Sequence, residues 1–496
     1  MLVKVKILNL VAGKPIVILH KDIARKLDVH VGERVRLRKP GIRKEVIAIV
    51  DIATGIVKPD EILLSHEVIE DLQVKENQSV DINPALKPVS VHYILEKLYG
   101  KQLNYDKIYE IIADITKNKL TEAEIAYFVS AELLRGMSLR EVSYLTQSIV
   151  RNGLQLKFPN RFVLDKHSIG GLPGNRTTPI VVSIVAAAID KYQLDACFPK
   201  TSSRAITSPA GTADVIECLA KVEFNVKEVM KLIERVGACL IWGGALQLAP
   251  ADDKIIQVER LLGIDPDSQL LASILAKKLA VGATHLVIDI PTGKYAKADK
   301  ERAIKLKNSF LTLCRWFNIR VSILTTPGNE PVGFGLGPVL EARDVIAVLK
   351  QEKNRPLDLE TRAIRLATEL IRIARISRDP KEAELILKQG KAFEKFAEIM
   401  KAQHGSADKK LKTASHKEII KAKRTGKIRE INSRLLSDLA RQLGCPADKG
   451  AGIELHAKLN DSVKQGQALC TFYAETEQKL DWALRFIEKR ELFRIS

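Results

Sequence analysis

The fold is decided by the stretch Asp165-Lys166-His167-Ser168-Ile169-Gly170-Gly171-Leu172-Pro173-Gly174-Asn175-Arg176-Thr177-Thr178. An apolar run over residues 179–188 follows it directly and predicts a buried helix. A second stretch, Lys200-Thr201-Ser202-Ser203-Arg204-Ala205-Ile206-Thr207-Ser208, is followed by Ala210-Gly211-Thr212. Both stretches combine small residues, hydroxyls and a cation at a point where a strand is expected to give way to a helix.

Loops of this composition suit an anion. Because glycine has no side chain, backbone N–H groups can approach a phosphate closely, while hydroxyls and a helix N-terminus add further favourable interactions. Two such loops facing each other would form a phosphate cradle. The first stretch matches neither G-x-x-x-x-G-K-[ST] nor G-x-G-x-x-G, so composition alone leaves an ordinary glycine-rich turn as an equal alternative.

The composition is that of a large, basic, globular protein. Its 496 residues predict several domains, and its formal net charge of +19 allows nucleic acid, a membrane surface or a small anion as partner. The cations are spread along the whole chain without a nucleic-acid-binding motif, which favours a basic protein with solvated faces. The six cysteines form no C-x-x-C pair, and no run approaches the ~18 apolar residues of a membrane span. We therefore expect a cytoplasmic protein with no membrane partner.

The hydrophobic pattern changes along the chain and predicts a multidomain α/β protein with its active-site cleft between a helical and an α/β lobe. Thr121 and Ser138 each begin a capping box in the predicted helical lobe. In chain order the predicted segments are a β-rich, barrel-like N-terminal domain (1–87), the helical lobe (88–158, with a returning segment at about 245–262), an α/β phosphate-binding domain (159–402), a basic loop or linker (403–430) and an α+β C-terminal domain (431–496).

Apolar runs within the α/β segment predict its secondary structure. The predicted strands are Phe162–Leu164, Cys239–Trp242, His285–Ile290 and Arg320–Leu324, and the predicted helices are Val181–Ala188, Val226–Val236 and Leu270–Ala280.

The two quoted stretches resemble a known family. Lys166-His167-Ser168 with Gly170-Gly171, followed by the Ser203–Ser208 element and by Gly211-Thr212, is similar to the thymidine phosphorylase family. The amino-acid sequence of the second stretch is most similar to that of the archaeal AMP phosphorylase branch, and the resemblance covers nearly the whole chain. It implies phosphorolysis of an N-glycosidic bond, in which phosphate is the nucleophile, and it implies no metal and no cofactor.

The resemblance also implies a set of phosphate-binding residues. These are Lys166, Ser168, Thr178, Ser202 and Thr212. The first loop is one residue longer than in the bacterial thymidine phosphorylases, which makes Thr178 the least secure of the five. His167 is expected near base and sugar, where a histidine could transfer a proton; a purely structural histidine is the alternative.

The base end of the site separates two branches of the family. Ser273 and Lys277 stand where thymidine phosphorylases hold the pyrimidine, but their base-contacting arginine aligns with Val258. Arg260, two residues further on, is the alternative arginine at this end of the site. Asp265 matches the proton donor of the AMP phosphorylases, with an Asp-Pro turn residue as the alternative. The positions that match the nucleotide-binding pattern of that branch are Gly171, Ser203, Arg204, Ala205, Ile206, Thr207, Ser208, Thr212, Ser273 and Lys297.

Lys294 and Lys297 are both expected to be placed to meet a 5′-phosphate. The motif pattern therefore favours AMP, converted to adenine and ribose 1,5-bisphosphate. Thymidine phosphorolysis is the alternative reaction, and a nucleic-acid-binding or scaffold protein that kept the fold is the alternative class. The expected partners are inorganic phosphate, a nucleoside or nucleotide, and further copies of the chain; nucleic acid is not expected.

Overall fold

The computed structural model describes residues 1–159, 161–205 and 208–496. The chain forms two compact units. The first contains Met1–Asn152 and the returning segment Pro250–Gln269, and the second contains Gly153–Ala249 and Leu270–Ser496. Within the described residues, no helix has the length and apolar character that a membrane span requires.

The N-terminal part of the first unit is a closed six-stranded barrel with the strand order β1-β5-β2-β4-β3-β6. β1 pairs in parallel with β5, and β2 with β4, while the other neighbours are antiparallel. Val5, Val17 and Leu37 fill its interior, so the predicted barrel-like domain is confirmed. Its elements are β1 (Leu2–Ile7), β2 (Ile16–His20), α1 (Lys21–Leu27), β3 (Arg34–Arg38), β4 (Glu45–Ala53), β5 (Glu61–Leu64), α2 (His66–Leu72) and β6 (Ser79–Pro84).

A helical bundle completes the first unit. Both predicted capping boxes are present: the carboxylate of Glu124 accepts the N–H of Thr121 at 2.8 Å, and that of Glu141 accepts the N–H of Ser138 at 2.9 Å. The bundle helices are α3 (Val89–Leu98), α4 (Tyr105–Thr116), α5 (Glu122–Arg135) and α6 (Leu139–Arg151), joined by the helix Pro250–Leu262 of the returning segment.

The second unit is built on a parallel five-stranded sheet with the order β11-β10-β7-β8-β9. All four strands and all three helices that were predicted with bounds are confirmed, and β8 is the strand that was expected before the second stretch without predicted bounds. In chain order, the elements of this part of the chain are β7 (Phe162–Ser168), α7 (Thr177–Lys191), β8 (Ala196–Ser202), α8 (Thr212–Glu217), α9 (Val226–Val236), β9 (Ala238–Trp242), the returning helix α10 (Pro250–Leu262), which belongs to the first unit, α11 (Asp267–Ala280), β10 (His285–Thr292), α12 (Lys300–Trp316) and β11 (Arg320–Pro327).

Helices cover the sheet and lead into the C-terminal part, which contains a four-stranded and a three-stranded sheet. The basic segment 403–430, predicted as a loop or linker, contains β13 and most of β14. Its lysines face solvent and hide the strand pattern, but β13 pairs along its length with β17. The remaining elements are β12 (Gly335–Leu336), α13 (Pro338–Leu349), α14 (Leu357–Ile373), α15 (Glu382–Lys388), α16 (Lys391–Ala402), β13 (His416–Lys421), β14 (Gly426–Ile431), α17 (Ser433–Gln442), β15 (Gly452–Leu455), β16 (Ser462–Val463), β17 (Ala468–Ala474), α18 (Glu477–Ile487) and β18 (Phe493–Ile495).

A buried carboxyl in the first unit makes its stability depend on pH. The hydroxyl of Ser268 donates to Glu132 Oε2 at 2.6 Å, and Glu132 Oε1 has no hydrogen-bond partner among the described residues. Burial raises the pKa of Glu132 to about 7. Since the carboxyl titrates near 4.5 in the unfolded chain, the folded state holds the extra proton between these values, and stability falls as pH rises through this window.

We expect Glu132→Gln to remove that pH dependence. The amide keeps an acceptor for Ser268 without a charge, so the variant gains stability over the wild type at about pH 8, by up to ~3 kcal/mol, and much less at about pH 5. Chemical denaturation of both proteins at the two pH values measures the difference. An equal effect of the substitution at both pH values would contradict the assignment of a raised pKa.

Candidate active site

Strand β7 presents functional side chains on both of its faces. Successive residues of a strand point to opposite sides of the sheet. Lys166 and Ser168 therefore share one face, which is that of helix α7, while Asp165 and His167 share the other, which is that of helix α11. The predicted phosphate-binding and base-binding groups thus diverge from a single strand.

The ammonium of Lys166 lies at the N-terminus of α7. Its Nζ donates to Thr177 Oγ1 at 2.8 Å and to Thr178 Oγ1 at 3.2 Å, and the lysine is 1% exposed. Burial lowers its pKa to about 8. A buried ammonium, two hydroxyls and the free N–H groups of a helix N-terminus together provide what a phosphate dianion needs.

Ser168 is held by a buried carboxylate. Its hydroxyl donates to Asp289 Oδ2 at 3.2 Å, and the Asn175 amide donates to the same oxygen at 3.1 Å. Thr326 donates to the other oxygen of Asp289 at 2.6 Å, and Arg362 lies 3.9 Å from the carboxylate. This network fixes the first loop to strands β10 and β11, and nothing in the sequence pattern had singled out Asp289.

Arg176 joins the two predicted phosphate-binding loops. Like Asp289, it was not singled out by the sequence pattern. Its guanidinium donates to Thr212 Oγ1 at 2.8 Å and to the Ala210 carbonyl at 2.7 Å, and it pairs with Glu341 at 2.6 Å. Thr212 therefore lies within reach of the first loop, as a two-loop cradle requires. The only available signal was an arginine directly before a predicted helix, which is also common at exposed positions.

Asp214 shapes the second loop by accepting hydrogen bonds from the N–H groups of Ala205 at 2.7 Å and Gly211 at 2.8 Å. Gly211 is required there because a Cβ would lie 2.4 Å from the Ser203 carbonyl oxygen. Ser208 donates to the Ala210 carbonyl at 3.1 Å. The predicted residues Ile206 and Thr207 lie outside the described residues.

The side chain of Arg204 contacts other side chains of the second unit. Its guanidinium pairs with Glu217 at 2.6 Å and Glu223 at 3.0 Å and lies 4.8 Å from the centre of the Trp242 ring. Lys449 pairs with the same Glu217 at 2.6 Å. These contacts hold the Arg204 side chain against residues of the chain itself.

Two buried polar atoms in the loops lack partners. Among the described residues nothing hydrogen-bonds to Ser202 Oγ or to Asn175 Oδ1. Because burying a hydroxyl or amide oxygen without a partner is costly, both atoms mark positions where a bound ligand would supply the missing hydrogen bond.

Lys297 packs directly on the glycine pair of the first loop. Gly171 has a φ of +81°, and a Cβ on it would lie 2.6 Å from Lys297 Cγ and 2.7 Å from Lys297 N. The structure therefore brings these two predicted nucleotide-binding residues together. Lys294 behaves differently, because its ammonium pairs with Glu430 at 2.5 Å, and the expectation that it meets a 5′-phosphate is not supported.

On the other face of β7, a charged triad surrounds Asp165. Lys200 Nζ lies 3.1 Å from Asp165 Oδ1, and Lys278 Nζ lies 2.6 Å from Oδ2. All three residues are at most 4% exposed. Burial opposes the charge of Asp165, but the two ammonium groups outweigh it and hold the pKa of this carboxyl below its usual range.

His167 is half-buried beside this triad. Burial lowers the pKa of its imidazole well below the usual value, and the ammonium groups of Lys278 and Lys200 lower it further, followed by those of Lys166 and Lys277. His167 is therefore neutral at physiological pH. Ser273 and Lys277 are half-buried and one turn apart on α11, so they share a face of that helix.

Asp265 lies in the first unit, half-buried in the turn between α10 and α11. The hydroxyl of Ser268, one turn further on, is held by Glu132 as described above.

Comparison with known proteins identifies the family. The model of the glycosyl transferase family helical bundle domain matches residues 91–153, that of the glycosyl transferase family a/b domain matches residues 160–294, and that of the pyrimidine nucleoside phosphorylase C-terminal domain matches residues 427–491. Among solved structures, anthranilate phosphoribosyltransferase from Thermus thermophilus shares the fold with a TM-score of 0.52 and 18% identity, over 63% of this chain and 99% of that chain.

Full-length relatives are more similar. AMP phosphorylase 1 of Archaeoglobus fulgidus is 41% identical over 95% of this chain and 93% of its own. The AMP phosphorylases of Pyrococcus furiosus and Thermococcus kodakarensis are each 39% identical over 99% of this chain and 97% of their own. The chain therefore belongs to the thymidine/pyrimidine-nucleoside phosphorylase family, in the branch that contains the AMP phosphorylases.

Proposed function

We propose that the protein catalyses the phosphorolysis of AMP. A phosphate oxygen attacks C1′ of the ribose, the bond from C1′ to the base nitrogen breaks, and its electron pair leaves with adenine, which takes up a proton. The products are adenine and ribose 1,5-bisphosphate. In this scheme the protein supplies an anion site, an oriented sugar and an acid, and it needs no side-chain nucleophile.

The observation that carries the proposal is the group around Lys166. A fully buried ammonium directed at a helix N-terminus, with two threonine hydroxyls at 2.8 and 3.2 Å, is costly to maintain unless an anion completes it. The remaining predicted ligands are Ser168, whose hydroxyl donates to Asp289, Ser202, whose buried hydroxyl has no partner among the described residues, and Thr212, bonded to Arg176.

The contact of Lys297 with Gly171 favours a nucleotide over a nucleoside. It places a cation beside the first loop, where it can meet a 5′-phosphate. Asp265 supports adenine as the leaving base, because protonation at N7 activates adenine for departure. Thymine has no comparable basic ring nitrogen and is better served by a fixed arginine, and the chain has Val258 at the corresponding position.

Thymidine phosphorolysis is the second candidate. It is favoured by Ser273 and Lys277 on one face of α11, which match the pyrimidine-binding positions, and by the pyrimidine nucleoside phosphorylase domain over residues 427–491. Purified protein with inorganic phosphate and each of AMP, CMP, adenosine, thymidine and uridine separates the candidates when released base is quantified. We expect AMP to be the best substrate; thymidine as the best substrate would overturn the AMP assignment.

We expect Lys297→Ala to impair AMP turnover and to spare unphosphorylated nucleosides. Losing one charge-assisted contact to the 5′-phosphate should raise KM for AMP by about tenfold to a hundredfold, equivalent to about 1.5–3 kcal/mol. Steady-state kinetics with AMP and adenosine measure the effect. Lys294→Ala is the matched control, because that lysine lies three residues away and pairs with Glu430. Equal effects of Lys297→Ala on AMP and on adenosine would exclude a 5′-phosphate contact.

We also propose that the enzyme is a cytoplasmic homo-oligomer, a dimer or larger. All six cysteines fall in the described ranges, and each is buried and unbonded to another, as in a reducing compartment. Tyr99 and Leu134, at the ends of α3 and α5, are 78% and 71% exposed, which gives the bundle an apolar surface that a second copy could cover. Light scattering during gel filtration tests the oligomeric state.

A further inference from the structure

The triad of Asp165, Lys200 and Lys278 is not explained by the stability of the fold. Two ammonium groups face one carboxylate at 3.1 and 2.6 Å, deep in the second unit. Taking three charges out of water costs several kcal/mol per ion, and apolar side chains of similar volume often give an equally stable core. A function other than stability is therefore the better explanation of the triad.

The triad connects the elements that carry the proposed site. Asp165 precedes Lys166 and His167 on β7, Lys278 follows Lys277 on α11, and Lys200 lies on β8. Lys200 Nζ also donates to the Thr201 carbonyl at 2.7 Å, immediately before Ser202. A shift of either lysine would therefore move a residue that we expect to contact substrate.

The charges that act on His167 come largely from the same residues. The cations that lower its pKa are Lys278 on α11, Lys200 on β8, its neighbour Lys166 on β7, and Lys277 on α11. Asp165 lies on the same face of β7 as His167. On β10, its partner in the sheet register is the apolar Ile288. Cations outnumber the carboxylate around the imidazole, which opposes its protonation.

We propose that Asp165, Lys200 and Lys278 form a positioning triad that ties β7 to α11 and β8 beside His167. The two ammonium groups of the triad also oppose protonation of the His167 imidazole. In the reaction proposed above, on which this inference rests, a neutral imidazole can share a hydrogen bond with the sugar or base without competing for the phosphate dianion. The tie through Lys278 sets the position of Ser273 and Lys277 against His167, and the tie through Lys200 sets that of Ser202.

The proposal is tested first without substrate. Selective labelling of histidines allows the His167 pKa to be followed by NMR, with His167→Asn identifying its signal. Burial lowers the pKa of Lys278, so its charged form predominates on the acid side of neutrality, where histidines titrate. Lys278→Met should therefore raise the His167 pKa by about 0.5–1 unit. An unchanged His167 pKa would overturn the electrostatic role, whether or not the protein proves to be a phosphorylase.

Kinetics test the positioning role. Lys278→Met should raise KM for the nucleotide by about tenfold or more with little change for phosphate, because it frees α11. Lys200→Met should raise the His167 pKa as well, but should raise KM for phosphate instead, through Ser202. Equal changes in both KM values for either variant would mean general loosening and overturn the proposal. If one variant fails to fold, the other still carries both readouts.

Lys395→Met is the matched control. Lys395 is 5% exposed and lies between Asp190 at 2.7 Å and Glu398 at 2.8 Å, so it too is a buried lysine in a three-charge cluster. Asp190 stands near the C-terminus of α7, roughly 20 Å along the helix from Thr177 at a rise of about 1.5 Å per residue. We expect this variant to lose stability while the His167 pKa and both KM values stay unchanged.

Discussion

Lys166→Met is expected to lower turnover at least ~100-fold and to weaken phosphate more than the nucleotide. Methionine keeps most of the volume and apolar length of the side chain, so the change removes the ammonium without opening a large cavity. The lost interaction is the one between the buried cation and the attacking dianion, which no solvent replaces at a residue that is 1% exposed.

The pH dependence of phosphate binding provides a second readout of Lys166. Because burial lowers its pKa to about 8, the free enzyme loses this cation as pH rises through 8. The wild-type affinity for phosphate should therefore fall between about pH 7 and about pH 9, and the fall should be much smaller in Lys166→Met. Isothermal titration with phosphate at a series of pH values measures both curves.

Lys191→Met serves as the control for Lys166. Lys191 ends the same helix, α7, and pairs at its surface with Glu382 at 2.7 Å. Its loss should leave turnover and phosphate affinity as they are. If Lys166→Met retains both the wild-type phosphate affinity and its pH dependence, the cradle lies elsewhere in the molecule.

Much of the fold could be predicted from the sequence because local patterns decide it. Helix α9 runs from Val226 to Val236 as predicted, and the two capping boxes at Thr121 and Ser138 form as predicted. A strand was expected before the second stretch, but the bounds of β8 were not predicted, because its sequence contains Pro199 and Lys200, which are unusual in a central strand. Lys200 is tolerated there only because Asp165, 35 residues earlier, neutralises it.

In the candidate site, too, local sequence patterns identify some residues and distant contacts identify others. The residues of the two glycine-rich stretches stand out by composition, and their roles remain predictions that the proposed variants test. Arg176, Asp289 and Lys278 gain their significance from partners more than 35 residues away, Glu341, Ser168 and Asp165. No spacing rule in a single sequence brings such pairs together, so the groups that hold the site in place could be found only in the structure.

Asp265→Asn should preserve AMP binding and lower AMP turnover by roughly two to four orders of magnitude, the usual contribution of a general acid. Asparagine has the same shape as aspartate and cannot give a proton to N7 of the departing adenine, so the chemical step should slow while binding is kept. Any thymidine or uridine turnover should change much less, because those leaving groups need their negative charge stabilised more than they need a proton.

Single-turnover release of adenine, compared with equilibrium binding of AMP, separates the chemical step from binding. Asp267→Asn, two residues further on in the first turn of α11, is the matched control and should leave turnover close to that of the wild type. If Asp265→Asn loses AMP binding in proportion to turnover, Asp265 holds the substrate and another group must supply the proton.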